Sequence, residues 1–347
     1  MRIGLAGVGR IGSFHANTLR QLPEVDTLVL ADVDAARAKQ VAATVRGEAV
    51  ERPEDLFSAS ARIDALVICT ATDAHASLIV QGVEAGVPVF CEKPVAIDAG
   101  QTRQVLQRIQ GARAPVHIGF QRRFDAGYMA ARVAIQEGNL GWVHTLRACT
   151  FDVAPPPANY VPTSGGLFRD CSVHDFDILR WVTGREVVEV YAVGQNRGES
   201  FFRDAGDVDT NGALLTMDDG AIALVSATRY NAGGHDVRLE VLGSKASIAV
   251  GLDNRTALRS VEPGITFPSG QPYPLFLDRF HDAYVRELEA FVDVVAGRRP
   301  SPCSVEDALA SLLIAEACEI SRHQHRPVKL TEVSGSADPT FNAGVSQ

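Results

Sequence analysis

Met1-Arg2-Ile3-Gly4-Leu5-Ala6-Gly7-Val8-Gly9-Arg10-Ile11-Gly12 opens the chain, and its reading decides the fold. Arg2–Ala6 is a short apolar run of buried-strand type, and Ile11–Gln21 behind the glycines has helical periodicity. In a strand–loop–helix unit of this kind Gly7 permits the tight turn. Gly9 lets backbone approach a pyrophosphate, and Gly12 allows close packing of helix on strand. The amides at Arg10 and Ile11, at the start of the helix, then face the phosphates. Asp32 ends the next apolar run, twenty residues beyond Gly12. A carboxylate there accepts from adenosine ribose hydroxyls and repels a 2′-phosphate, and Val33 and Asp34 offer that phosphate no cation. NAD is expected over NADP.

The pattern set by this stretch continues. Apolar runs at Thr27–Ala31, Ala65–Cys69, Val87–Cys91 and Val116–Gly119 alternate with helical stretches near Ala35–Val45, Ala74–Ala85 and Ala99–Ile109. Such alternation predicts an α/β fold with a doubly wound parallel Rossmann sheet over residues 1–120. Beyond Gly119 the texture changes to consecutive strands, with Asp218-Asp219-Gly220 as a hairpin turn signal. Residues 121–330 are therefore expected to form an α+β domain with a largely antiparallel open sheet, whose C-terminal helices can pack back on the first domain. Residues 331–347 are expected to be a loose tail.

Composition narrows the function. The 347 residues are 46% hydrophobic and 22% charged, and 42 acidic against 33 basic residues give a net charge of −9. No Lys/Arg block suggests nucleic acid, and no apolar run approaches membrane-spanning length. The first residues are too soon interrupted by glycine for a secretory signal, so a cytoplasmic enzyme is expected. Six cysteines without CxxC spacing read as small buried groups.

Two further motifs carry chemistry. Glu92-Lys93-Pro94 follows the strand Val87–Cys91, at the carboxyl edge of the sheet where ligands bind. Asp170 and His174 are four residues apart; on a helix both project from one face, where a carboxylate can orient an imidazole and raise its basicity. That pairing suits proton removal from an alcohol. Thr70, Thr72 and His75, after another strand, read equally as lining of a cofactor cleft or as helix capping. Cys171 beside Asp170 could be a nucleophile, but its neighbours already make a proton-transfer pair. Asp175 and Asp177 could suggest a metal, yet zinc-type spacing is missing, and no metal is expected.

Taken together, the glycine loop, Glu92-Lys93-Pro94 and Asp170-x-x-x-His174 resemble the Gfo/Idh/MocA oxidoreductase family, across the chain to about Leu330. Gly119-Phe120-Gln121-Arg122-Arg123-Phe124-Asp125 is similar to the domain-junction motif of the family's inositol 2-dehydrogenases. Asp152 with Pro155-Pro156-Pro157, Ser164 to Asp170, His174-Asp175-Phe176-Asp177 and Phe280 to Tyr284 also resemble those enzymes. Within Gly233-Gly234-His235-Asp236-Val237 the chain departs, because His235 stands where they usually carry a tyrosine that lines the substrate pocket. The departure bears on which polyol is recognised.

The resemblance implies NAD-dependent oxidation of a secondary hydroxyl of a cyclitol or sugar, with myo-inositol and 2-keto-myo-inositol the leading pair. It implies His174 as base, Asp170 as its orienting partner and Lys93 as the group that stabilises charge on the reacting oxygen. Asp152 and Arg122 would bind hydroxyls, and His235 would line the pocket. Glu92 and Lys93 join Gly7, Gly9, Arg10, Ile11, Gly12 and Asp32 on the cofactor side. A homo-oligomer, dimer or tetramer, is implied by family habit. The alternatives are a dehydrogenase of another sugar (an aldose or another inositol isomer), a protein that senses NAD without turnover, and a lyase that uses tightly held NAD.

Overall fold

The computed structural model describes residues 1–58 and 60–334. The chain divides into two compact units, Met1–Gln121 with Asp282–Leu309, and Arg122–His281 with the segment from Ala310.

In the first unit, β1 (Arg2–Ala6), α1 (Arg10–Gln21), β2 (Thr27–Ala31), α2 (Ala35–Val45), β3 (Glu48–Ala49), β4 (Ala65–Ile68), α3 (Thr72–Glu84), β5 (Val89–Glu92), α4 (Ala99–Ile109) and β6 (Val116–Gly119) alternate. The six strands lie in the order β3-β2-β1-β4-β5-β6, all parallel. This is the doubly wound order whose switch point lies at β1 and β4. The two-residue β3 has too short an apolar pattern to stand out in the sequence. Ile3, Leu5, Leu19, Leu28, Leu30, Val67 and Phe90 form the core, joined by Leu288, Phe291 and Val292 from the helix His281–Val295. The aromatic contact of Phe291 on Phe90, 5.6 Å between centroids, lies inside this cluster.

The second unit holds α5 (Ala126–Gln136), β7 (Val143–Phe151), α6 (Val173–Thr183), β8 (Val187–Gln195), β9 (Thr210–Met217), β10 (Ile222–Thr228), β11 (Asp236–Gly243), β12 (Ser247–Val250) and β13 (Val328–Lys329). Seven strands run in the order β12-β11-β7-β10-β9-β8-β13, antiparallel except for β7 beside β10. The expected hairpin at Asp218-Asp219-Gly220 joins β9 to β10, with Gly220 at φ +87°, a conformation that favours glycine. Arg122 and Arg123 follow the first unit directly and are buried against α6, pairing with Asp175 at 2.6 Å and Asp177 at 2.5 Å. Adjacent acidic residues that suggested a possible metal are thus the anchors of two arginines.

The first four residues of the expected loose tail are helical. Thr331–Ser334 is a short helix in which Ser334 accepts order from Leu330, its amide donating to the Leu330 carbonyl at 3.0 Å. Residues 335–347 lie outside the described residues. Among the described residues no helix is long and apolar enough to cross a membrane.

Phe291 is fully buried. Phe291→Ala should therefore destabilise the protein by about 3–5 kcal/mol, the usual cost of a large-to-small change in a packed core. Urea unfolding measures it; a loss below about 1 kcal/mol would remove this helix from the core.

Candidate active site

The cofactor side is built where β1, β2, β4 and β5 end. An added Cβ at Gly7 would meet the Cys69 carbonyl and the Thr70 nitrogen at 2.6 Å, and one at Gly12 would meet the Gly7 carbonyl oxygen at 1.8 Å. Both glycines answer to the protein's own packing. Gly9 does not: it has an ordinary φ of −66°, and a Cβ there would meet no protein atom within 4 Å. Its bare backbone, at the head of α1, is a cradle suited to a dinucleotide pyrophosphate.

Asp32 is buried at the end of β2 and reaches back to this loop. Its Oδ2 accepts from the Val8 amide at 2.7 Å, and its Oδ1 accepts from the Asp34 amide at 2.9 Å and from Arg37 at 2.5 Å. Burial pushes the Asp32 carboxyl up, but the Arg37, Asp34 and Val8 hydrogen bonds bring it below the usual value. Arg37 is a cation near the ribose end that inspection of Val33 and Asp34 alone misses. Its only sequence signal is its place in the first turn of α2, and its charge is already matched by Asp32.

His75, expected either to line the cleft or to cap a helix, sets its ring between two backbone carbonyls. It is buried, with Nδ1 2.7 Å from the Pro94 carbonyl and Nε2 3.1 Å from the Thr70 carbonyl. Burial holds its pKa below the ordinary value, against the Pro94 and Thr70 carbonyls that favour the charged ring. Thr70 is half-buried, its hydroxyl on the Ala71 carbonyl, and Thr72 opens α3. Lys93 is half-buried in the turn after β5. The Glu92 carboxylate before it accepts from the fully buried His15, Nε2 to Oε1 at 2.6 Å.

The substrate-side residues come together through strand register. Phe151 of β7 pairs with Thr228 of parallel β10, so Asp152 and Arg229 leave the sheet at the same edge. Asp236 of β11 pairs with the same Phe151, which sets His235 opposite Asp152. The expected helix near Cys171 starts earlier, as a π-helical turn over Phe168–Ser172 that continues into α6. Such wide turns recur at functional sites. Both Asp170 and His174 are half-buried here.

Arg229 organises the cluster. Its Nη1 donates to Asp152 Oδ2 and to Cys171 Sγ, each at 2.9 Å, and its Nη2 donates to Asp170 Oδ2 at 2.6 Å. Tyr160 donates to the other Asp170 oxygen at 3.1 Å. Burial works against the Arg229 charge, but Cys171, Asp170 and Asp152 more than offset it and raise its pKa. Burial, then Asp170, likewise keep the Tyr160 hydroxyl protonated. Neither residue is legible in the sequence: an arginine after a strand and a tyrosine in a Pro-rich loop are common. His235 Nδ1 lies 3.6 Å from Asp152, and its Nε2 is buried without a protein hydrogen bond. Burial brings His235 down to about 4, so the ring is neutral.

Arg122, expected to bind a hydroxyl, is engaged within the second unit. It is 3% exposed, with Nη1 on Asp175 and Nη2 on the Thr150 hydroxyl at 2.8 Å, and its guanidinium faces the Phe280 ring. The buried carboxylate of Asp175 needs this charge, since an unmatched buried charge is costly.

A Rossmann unit with a cleared glycine at the head of its first helix, followed by an α/β unit with a hydrogen-bonding cluster at its sheet edge, defines an NAD-dependent oxidoreductase. Comparison makes the assignment particular. The NAD-binding Rossmann fold of the Gfo/Idh/MocA oxidoreductases matches residues 1–120, and their C-terminal alpha/beta domain matches residues 132–330. The chain belongs to that family. It is 35% identical to the myo-inositol 2-dehydrogenase of Thermotoga maritima over 338 residues, 96% of this chain and 100% of that protein. It is 35% identical to the inositol 2-dehydrogenase of Rhizobium meliloti, covering 95% of this chain and 99% of that one. The structure of scyllo-inositol dehydrogenase from Lactobacillus casei with bound NAD(H) and scyllo-inositol superposes with a TM-score of 0.86 at 29% identity, covering 95% and 99% of the two chains.

Two outcomes follow from the cluster. Arg229→Met leaves Asp152 and Asp170 facing each other unneutralised and should cost about 3–5 kcal/mol, as for other broken buried pairs. Adding Asp152→Asn should return part of it, measured by urea unfolding; no recovery would mean the loss is not electrostatic. His235, depressed to about 4, resists protonation in the folded state. The unfolded chain therefore binds the extra proton, and stability drops as pH falls from about 6.5 towards 4, by roughly 2 kcal/mol at pH 5. Thermal melts at pH 7.5 and 5.0 should show a larger acid loss for the unaltered protein than for His235→Gln; equal losses would refute it.

Proposed function

We propose that the protein oxidises a secondary hydroxyl of a cyclitol to a ketone, with myo-inositol to 2-keto-myo-inositol as the leading reaction. The observation that carries this reading is the polar cluster of Asp152, Asp170, Arg229 and His235, in a chain 35% identical over nearly its whole length to two proteins named as inositol 2-dehydrogenases. A polyol needs many donors and acceptors, because polar groups left unmatched in a closed site are costly.

NAD, when bound, supplies the hydride acceptor. His174 takes the hydroxyl proton, and Asp170 orients its ring and stabilises the imidazolium. Arg229 and Tyr160 hold Asp170 in place for this, each donating to one of its oxygens. Lys93 stabilises negative charge developing on the same oxygen. Asp152 and the buried Nε2 of His235 bind ring hydroxyls. Gly7, Gly9, Gly12 and the amides of Arg10 and Ile11 hold the pyrophosphate, Asp32 takes the ribose, and Thr70, Thr72 and Glu92 border the cofactor. A neutral His235 in place of tyrosine makes a different hydroxyl contact, which favours another inositol isomer as the second candidate substrate.

We also propose a cytoplasmic homo-oligomer, dimer or tetramer. Tyr191, Val193, Leu214, Ile222 and Leu224 are exposed on one face of the second sheet, where Leu214 pairs with both Tyr191 and Leu224. A continuous apolar patch of this kind suits a subunit contact.

A panel of inositol isomers and aldoses, followed by NADH absorbance, tests the activity. Turnover of an inositol is expected, and strong activity on a hexose with none on any inositol would overturn it. Lys93→Ala should bind NAD normally yet lose about 100-fold or more in kcat, the range for an electrostatic stabiliser of the reacting oxygen; near-normal turnover would overturn its role.

A further inference from the structure

His15 is a fully buried histidine that the reaction described above does not use. It lies on α1, in the second turn after Gly9, and its ring is enclosed by Phe14, Phe90 and Tyr284 at centroid distances of 5.9, 5.6 and 5.7 Å. Its one polar contact of note runs to Glu92 Oε1, at 2.6 Å. Glu92 is the last residue of β5, and its other oxygen lies over Gly119, its partner on β6, where an added Cβ would stand only 3.0 Å away. The carboxylate is thus confined between a buried imidazole and a bare backbone. On the far side of Lys93, the Pro94 carbonyl is held by His75 at 2.7 Å.

We propose that His15 is a positioning residue for Lys93. Through Glu92 it fixes the near end of the three-residue turn, while His75 fixes the far end. Because His15 and the glycine loop share α1, the same hydrogen bond sets the lysine turn at a constant offset from the backbone that cradles the dinucleotide. A half-buried carboxylate without its imidazole partner would turn towards water, and the turn would move with it. Displacements of about 1 Å at a reacting group are enough to lower turnover 100-fold. This role rests on the catalytic reading of Lys93 given above.

The test compares His15→Phe, which keeps the aromatic volume and removes the hydrogen bond, with His15→Gln, whose amide nitrogen can replace Nε2. Both are assayed with NAD and myo-inositol, and NAD affinity is read separately from protein fluorescence. His15→Phe should lower kcat by about tenfold or more while NAD affinity and the polyol KM stay within about threefold, and His15→Gln should recover most of the loss. Equal loss in both variants, or a loss confined to NAD affinity, would overturn the proposal. If His15→Phe fails to fold by circular dichroism, His15→Leu takes its place under the same criteria. Lys93→Ala, run in parallel, separates the two ideas: full activity there overturns the catalytic lysine, whereas an inactive Lys93→Ala beside a fully active His15→Phe overturns only the positioning role.

Discussion

One buried guanidinium holds the substrate side of this protein together. Arg229, 4% exposed, lies between Asp152 and Asp170 and pairs with both carboxylates. Without it the two like charges would face each other unmatched, at a cost that the guanidinium removes. The geometry that permits this is the parallel pairing of β7 with β10 in an otherwise antiparallel sheet. Antiparallel neighbours would have sent Asp152 and Arg229 to opposite edges.

The same economy of backbone geometry governs the cofactor side. Gly7 and Gly12 are demanded by the protein's own atoms, whereas Gly9 is demanded by none, which marks it as the place where something other than protein comes close. Asp32 links the two requirements, since its carboxylate both ties down the Val8 amide and faces Arg37. A residue chosen in the sequence for a ligand therefore also shapes the loop that holds that ligand. Buried polar groups of this type are costly unless every oxygen is used, and here both are.

Much of the fold was legible. The parallel sheet follows from apolar runs spaced by amphipathic helices, and the hairpin at Asp219-Gly220 follows from turn chemistry. What stayed hidden has specific causes. The two-residue β3 is too short to show a period. Phe291 and Leu288 join the first core although they stand far down the chain, because periodicity tells that a helix has an apolar face but not what covers it. Arg122 was read as a hydroxyl binder from its type and motif, and its burial against Asp175 depends on a contact 53 residues away.

By itself the sequence determined those properties carried by local spacing: a glycine loop between strand and helix, an acid at the end of the second strand, a lysine at the edge of the sheet, and an acid and a histidine one helical turn apart. Tertiary structure decided which charges meet. Arg229 with Asp170 and His15 with Glu92 stand 59 and 77 residues apart in the chain, and no local pattern encodes which distant segments will stand side by side.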